Sequence, residues 1–122
     1  MRPTVHPQGP GDSRDRGAVT AELALGLPVV VVVLAAVLML VAAATAQMRC
    51  ADAARAAARS VALGEDAAVQ HDVVARVAGA GATSSTRSDG DWVTVRVEAP
   101  VVGWLSAVPL TASAEAVARA EP

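Results

Sequence analysis

Residues 14–46 read RDRGAVTAELALGLPVVVVVLAAVLMLVAAATA, and the fold turns on how this stretch is taken. From Leu23 to Ala46 no side chain can ionise. At about 1.5 Å of rise per residue, a helix over that run reaches about 36 Å, enough to cross a hydrocarbon core of about 30 Å with some tilt. The sequence therefore predicts a transmembrane helix with its span at residues 23–46. Glu22 stands at the mouth of this run, where an unpaired charge is costly, and Gly17 lies five residues before it, preceded by Arg16.

Working outward toward the N-terminus, residues 1–17, MRPTVHPQGPGDSRDRG, are rich in proline, glycine and charge and show no apolar period. That is the pattern of a disordered tail. A helical pattern begins at Ala18 and meets no breaker except Pro28 until Gly64. A proline inside a helix removes the hydrogen bond to the carbonyl four residues back, here that of Ala24, and bends the axis. One long, slightly kinked helix over residues 18–63 is expected.

Beyond the span, QMRCADAARAAARSVALG (residues 47–64) places Arg49, Asp52, Arg55 and Arg59 on one arc of a helical wheel, and Cys50, Ala54, Ala57 and Val61 on the opposite one. Asp52 and Arg55 are spaced to pair for a few tenths of a kcal/mol. The small-residue arc would let another backbone approach closely, which makes Cys50, Ala54, Ala57 and Val61 a candidate intersubunit contact. Cys50 is read either as a small buried hydrophobe or as one half of a disulfide between two subunits. Gly64 fits the residue after a helix end and Asp66 the N-cap of a second helix, AAVQHDVVARVA (67–78), which stops at Gly79. Its apolar residues recur as Val69, Val73 and Val77. His71, alone between Gln70 and Asp72, reads as solvated.

After AGAGA the period changes from helical to two. In DWVTVRVEA, residues 91–99, Trp92, Thr94, Arg96 and Glu98 alternate with Val93, Val95, Val97 and Ala99, as in a half-buried strand. Asp89-Gly90 is a strong turn dipeptide, so residues 83–88 and 92–99 are expected to form a hairpin. TASAEAVARAE (111–121) alternates again against an all-alanine face, which leaves strand and helix in competition because alanine favours helix. The connecting PVVGWLSAVPL is apolar for a loop, and Trp104 there is suited to packing it down or to meeting lipid headgroups. The fold class is thus α+β: a long N-terminal transmembrane helix, a short helix and a small antiparallel β-sheet in residues 64–122.

Composition narrows function. The 122-residue chain has no Phe or Tyr and only two Trp, so neither an aromatic core nor an aromatic platform for stacking bases can be built. A net charge of −2 with scattered arginines argues against a nucleic-acid partner. The single cysteine excludes an intrachain disulfide. There is no G-x-S-x-G, no H-E-x-x-H, no phosphate-loop lysine and no pairing of Cys or His at metal-ligand spacing, so no catalytic, cofactor or metal residues are assigned, no small-molecule substrate is expected and the chain is not read as an enzyme.

What remains is the junction itself. Gly17, the four residues Ala18-Val19-Thr20-Ala21, Glu22 and then an apolar span resemble the leader junction of type IV prepilins. RGAVTAELALGLP, the Ala/Arg-rich segment after the span and the terminal AVARAEP together resemble the TadE family, pilin-like proteins of tight-adherence secretion systems. The resemblance implies cleavage by a prepilin peptidase on the cytoplasmic side after Gly17, so that residues 1–17 are a leader, Ala18 is the mature N-terminus and residues 64–122 form an extracytoplasmic module. It also implies partners: the peptidase, other pilin subunits, the assembly platform and membrane lipid. Glu22 and Ala18 are one helical turn apart, so Glu22 acquires a reason: it can meet the freed ammonium of its own or a neighbouring subunit, or else snorkel to the headgroups. Leu23 stands where major pilins of these systems commonly carry an aromatic residue, which fits a minor subunit. The arginines flanking the span, Arg14 and Arg16 before it and Arg49, Arg55 and Arg59 after it, do not set its orientation by themselves. Two other readings compete: a secreted binding module cut after Ala46 at the A-x-A of Ala44-Thr45-Ala46, and a single-span accessory protein that keeps its tail.

Overall fold

The computed structural model describes residues 1–5, 11–101 and 109–121. Five elements follow in chain order: α1 (Gly11–Ala62), α2 (Ala67–Ala78), β1 (Thr83–Asp89), β2 (Trp92–Pro100) and β3 (Thr111–Arg119). The chain forms two units, Met1–Val37 and Leu38–Pro122. The second therefore begins inside α1 and takes in its last turns. Trp104 and the rest of residues 102–108 lie outside the described residues, as does His6.

The long helix starts at Gly11, earlier than the Ala18 suggested by sequence, so residues 11–17 are helical rather than disordered. Once a helix is nucleated, each further residue costs little, and nothing between Gly11 and the span is a proline. Pro28 lies inside α1. Thr20 and Thr45 return their hydroxyls to the carbonyls of Arg16 and Val41, at 2.9 and 2.8 Å. The helix stops at Gly64, where φ is +76°. The Gly64 amide donates to the Val61 carbonyl at 3.0 Å and the Glu65 amide to Ser60 at 3.1 Å, and the Ser60 hydroxyl donates to the Glu65 carboxylate. These bonds satisfy carbonyls that a helix end otherwise leaves unpaired, and only glycine adopts the required φ without strain.

The sheet order is β1-β2-β3, antiparallel throughout. The competition at residues 111–119 resolves as strand, because β2 supplies a partner for every residue from Thr111 to Arg119. The hairpin loop is Gly90-Asp91, one residue later than the Asp89-Gly90 pair read from sequence, since Asp89 already pairs with Trp92. A positive φ is found at Gly90 (+60°) and not at Asp91, the pattern of a type II′ turn.

One face of the sheet carries Val93, Val95, Val97 and Ala99 of β2 and Ala112 of β3, all buried, and these form one core with Cys50, Ala53, Ala54, Ala57 and Ala58 of α1 and Val74 of α2. Among the described residues no side chain larger than valine is fully buried. Alanines on the helix let it lie close to the sheet, and the valine row of β2 fills the remaining depth. The face of α2 differs from expectation. Val74 is buried, Val73 and Val77 are half-buried and Val69 is exposed, so the contact centres on Val74. The side of β1 under α2 is polar and is met by Gln70, whose amide donates to the Thr86 hydroxyl at 2.8 Å. Asp66 has the extended backbone of an N-cap but makes no side-chain capping bond.

Candidate processing and assembly site

Gly17 lies within α1, exposed, and a Cβ built on it would meet no atom within 4 Å. The fold of this chain does not require glycine there. Glycine inside a helix costs about 0.8–1.0 kcal/mol relative to alanine, so a reason for it is to be sought outside the chain. Glu22 is also exposed, and among the described residues no cation pairs with it. One turn further, Gly26 leaves a notch with open space above it, flanked by Val19, Leu23, Leu27 and Val30. The spacing of Glu22 and Gly26 was legible in the sequence as a carboxylate with room beside it, a signal the sequence reading passed over.

Around this point the helix is bare. The Val and Leu side chains from Leu23 to Val41 are all exposed, between 49% and 75%. The most apolar window has a mean hydropathy of 3.0, with none of it buried within the chain. This one helix is long and apolar enough to cross a membrane and suits a single-pass anchor. In water such a surface would be a strong liability, since each large side chain left uncovered forgoes about 1.5–3 kcal/mol.

The candidate intersubunit arc behaves otherwise. Cys50, Ala54 and Ala57 have no exposed surface and Val61 is half-buried against them; all four pack on this chain's own sheet. The arc expected to face another subunit is occupied intramolecularly, because β2 presents a valine row of matching depth. The Cys50 thiol lies 3.6 Å from the Ala112 carbonyl. Burial pushes its pKa above the ordinary value of 9.0, a backbone hydrogen bond from Ala99 opposing this in part. Within the chain it is a buried free thiol, placed as a small hydrophobe would be. Gln47, just past the span, anchors the same strand by donating to the Ser113 carbonyl at 2.6 Å.

The opposite arc is solvated as expected: Arg49, Asp52, Arg55 and Arg59 are exposed, and Arg55 meets Asp52 at 3.2 Å. His71 is exposed. The outer sheet face carries a charge lattice in which Arg96 reaches Glu98 at 2.9 Å and Glu115 at 3.2 Å. Among the described residues no group of three or more His, Cys, Asp or Glu is arranged to hold a metal ion.

No curated protein and no solved structure matches the chain. The family model of TadE-like proteins matches residues 17–59. The matched stretch holds Gly17, Glu22, the apolar run and the helical arcs through Arg59, while α2 and the sheet lie beyond it. The match begins at Gly17 itself and covers 43 of the 122 residues; over that segment the chain is similar to TadE-like proteins, a structural, pilus-associated family.

Proposed function

We propose that this chain is a minor pilin of a tight-adherence pilus, made as a precursor with its N-terminus in the cytoplasm and its C-terminal unit outside, cut by a prepilin peptidase after Gly17, and then drawn into the filament with other subunits by the assembly platform. One observation carries the reading. A carboxylate without a partner among the described residues stands at the head of a bare apolar helix, four residues after Ala18, behind a glycine that the fold does not need.

Cleavage would convert the Ala18 nitrogen from a helix amide into an ammonium. On one helix the two groups share a face, and in a filament the ammonium of one subunit can meet Glu22 of the next. An unpaired carboxylate in the bilayer costs about 2.5–3.5 kcal/mol on insertion scales. A partner that exists only after processing and assembly favours the assembled state and fixes its register.

Intact-mass measurement of the membrane-extracted protein tests the cleavage: a mature N-terminus at Ala18 is expected, whereas one at Gln47 would establish the secreted module and an uncut chain the accessory protein. Two variants in one strain then separate processing from assembly. Gly17→Ala should leave an uncut precursor. Glu22→Ala should insert and be cut, yet accumulate in the membrane with few filaments; normal piliation would leave the carboxylate to the headgroups and end the pairing role.

A further inference from the structure

The unit Leu38–Pro122 is densely charged at one end and nearly uncharged at the other. Along the helix, β3 runs beside α1 from Ser113 and Ala112, held by Gln47 and Cys50, to Glu121, whose amide donates to the Ala62 carbonyl at 3.3 Å. At the Ala62 end stand Asp89, Asp91, Arg119 and Glu121, with Arg119 meeting Asp91 at 3.7 Å and the Ala120 amide bound to the Asp91 carbonyl at 2.7 Å. At the other end three segments come together: α1 around Ala42–Arg49, the Gly79–Ala82 turn, and the strand ends where the Val101 amide donates to the Leu110 carbonyl at 2.8 Å. In sequence, residues 38–48, 77–86, 99–101 and 109–114 contain no ionisable side chain. Among the described residues Arg49 is the one charge lining the groove between these segments, whose other walls include Ala46, Ala80 and Pro100.

Side-chain size changes at the same level. The large exposed apolar side chains of the run end at Val41, and residues 42–46 are Ala-Ala-Ala-Thr-Ala, half-buried except Ala44. Irregular backbone does not lie open to hydrocarbon, because its amides and carbonyls would lack partners. The Gly79–Ala82 turn flanks Ala42 and Ala46, so the hydrocarbon must end before that level. A run from Leu23 to Val41 still reaches about 28 Å, close to the thickness of the hydrocarbon core.

We propose that this nearly uncharged end of the unit is seated in the lipid headgroup layer, with Arg49 on lipid phosphate and the exposed Leu110 (40%) turned toward the boundary with the acyl chains. The membrane boundary then falls near Ala42 and the unit rests on the bilayer until assembly lifts it off. The inference rests on reading α1 as a membrane span, and its test keeps the two apart. In full-length protein carrying Cys50→Ala, single cysteines are placed at Ala80, Leu110, Ser88 and Leu34 and labelled with a fluorophore. The protein is reconstituted at low density into phosphatidylcholine–phosphatidylglycerol vesicles. Lipids spin-labelled at the headgroup should quench most of the emission from positions 80 and 110 and little from 88, and lipids spin-labelled deep in the acyl chain should quench position 34. Quenching at 34 with none at 80 and 110 would show a unit standing clear of the bilayer and overturn the proposal. Labels at 80 that quench one another between chains while ignoring the lipid probe would give this face to a second copy and overturn it as well. Absence of quenching at 34 would remove the span, and the docking with it.

Discussion

Two stretches of α1 treat apolar side chains in opposite ways. Between Leu23 and Val41 the helix leaves Val and Leu exposed on every side, whereas farther along it buries Cys50, Ala53, Ala54, Ala57 and Ala58 against the sheet. In a water-soluble protein the largest apolar groups go inside, because burial stabilises in proportion to area. Here the large groups are left for a surrounding apolar phase, and the small ones make the contact that needs closeness, backbone against sheet. Size sorts the two sets of side chains more sharply than hydrophobicity does: both sets are apolar, but only the small ones have neighbours at packing distance.

The largest test breaks the first stretch. Leu34→Arg sets a charge at the centre of the bare run, where insertion scales assign about 2.5–3.5 kcal/mol. The fraction of protein resisting alkaline extraction should fall severalfold. Met48→Arg, beside Arg49 on the exposed arc, should leave it unchanged. Equal extraction of both variants would mean that the bare run does not sit in lipid.

A second pair sharpens the contrast with one substitution in both environments. Ala57→Leu forces extra methylenes into a fully buried site, and overpacking costs about 1–3 kcal/mol. For a unit of this size each kcal/mol lowers the unfolding midpoint by about 4–8 °C. Ala36→Leu, on the exposed run, adds apolar surface where nothing is crowded and should leave the midpoint in place. Thermal unfolding in detergent, followed by Trp fluorescence, compares them.

Cys50 offers a pH test of the buried stretch. Its pKa in the folded chain is raised, so the unfolded thiol loses its proton first. Above the ordinary value of 9.0 the folded state binds more protons than the unfolded one, and stability falls as pH rises from there toward the folded pKa. Cys50→Ala should abolish that alkaline decline while leaving stability between pH 6 and 8 flat. In the same range a maleimide should label native Cys50 slowly and denatured Cys50 at once.

What was legible in the sequence follows from the same physics. The ends of α2, the glycine stop at Gly64 and the alternation of β2 were readable because each depends on local chemistry: a turn residue, a period, a break. The all-alanine face of β3 was not decisive, since alanine prefers helix and only pairing with β2 makes it a strand. The Cys50 arc was visible as a stripe of small residues, but a stripe does not name its partner; that required knowing that the valines of β2 lie across from it. Gly17 and Glu22 stood out for the converse reason. Among the described residues nothing uses them, so their pattern survived as an unexplained pair and aligns with the start of the TadE-like match.

The smallest effect concerns a residue where sequence and structure part. Asp66 occupies the N-cap of α2 with extended backbone, φ −64° and ψ 152°, and its carbonyl accepts the first helical bond, from the Gln70 amide at 3.1 Å. A capping side chain that binds the first-turn amides contributes about 1 kcal/mol on average. The Asp66 carboxylate makes no such bond and acts on the helix only through its charge near the positive end of the dipole. That contribution is about 0.3 kcal/mol at an exposed site and weakens with salt. Asp66→Ala should therefore lower the unfolding midpoint by no more than a degree or two, about what that energy implies for a unit of this size. Asp66→Asn should lose the same amount, since it keeps the capping shape and removes the charge, and both differences should fade in high salt. If Asp66→Ala instead costs the full contribution of a cap and Asp66→Asn costs nothing, the side chain does bind the first turn in solution, and the sequence reading of this helix start is the better one.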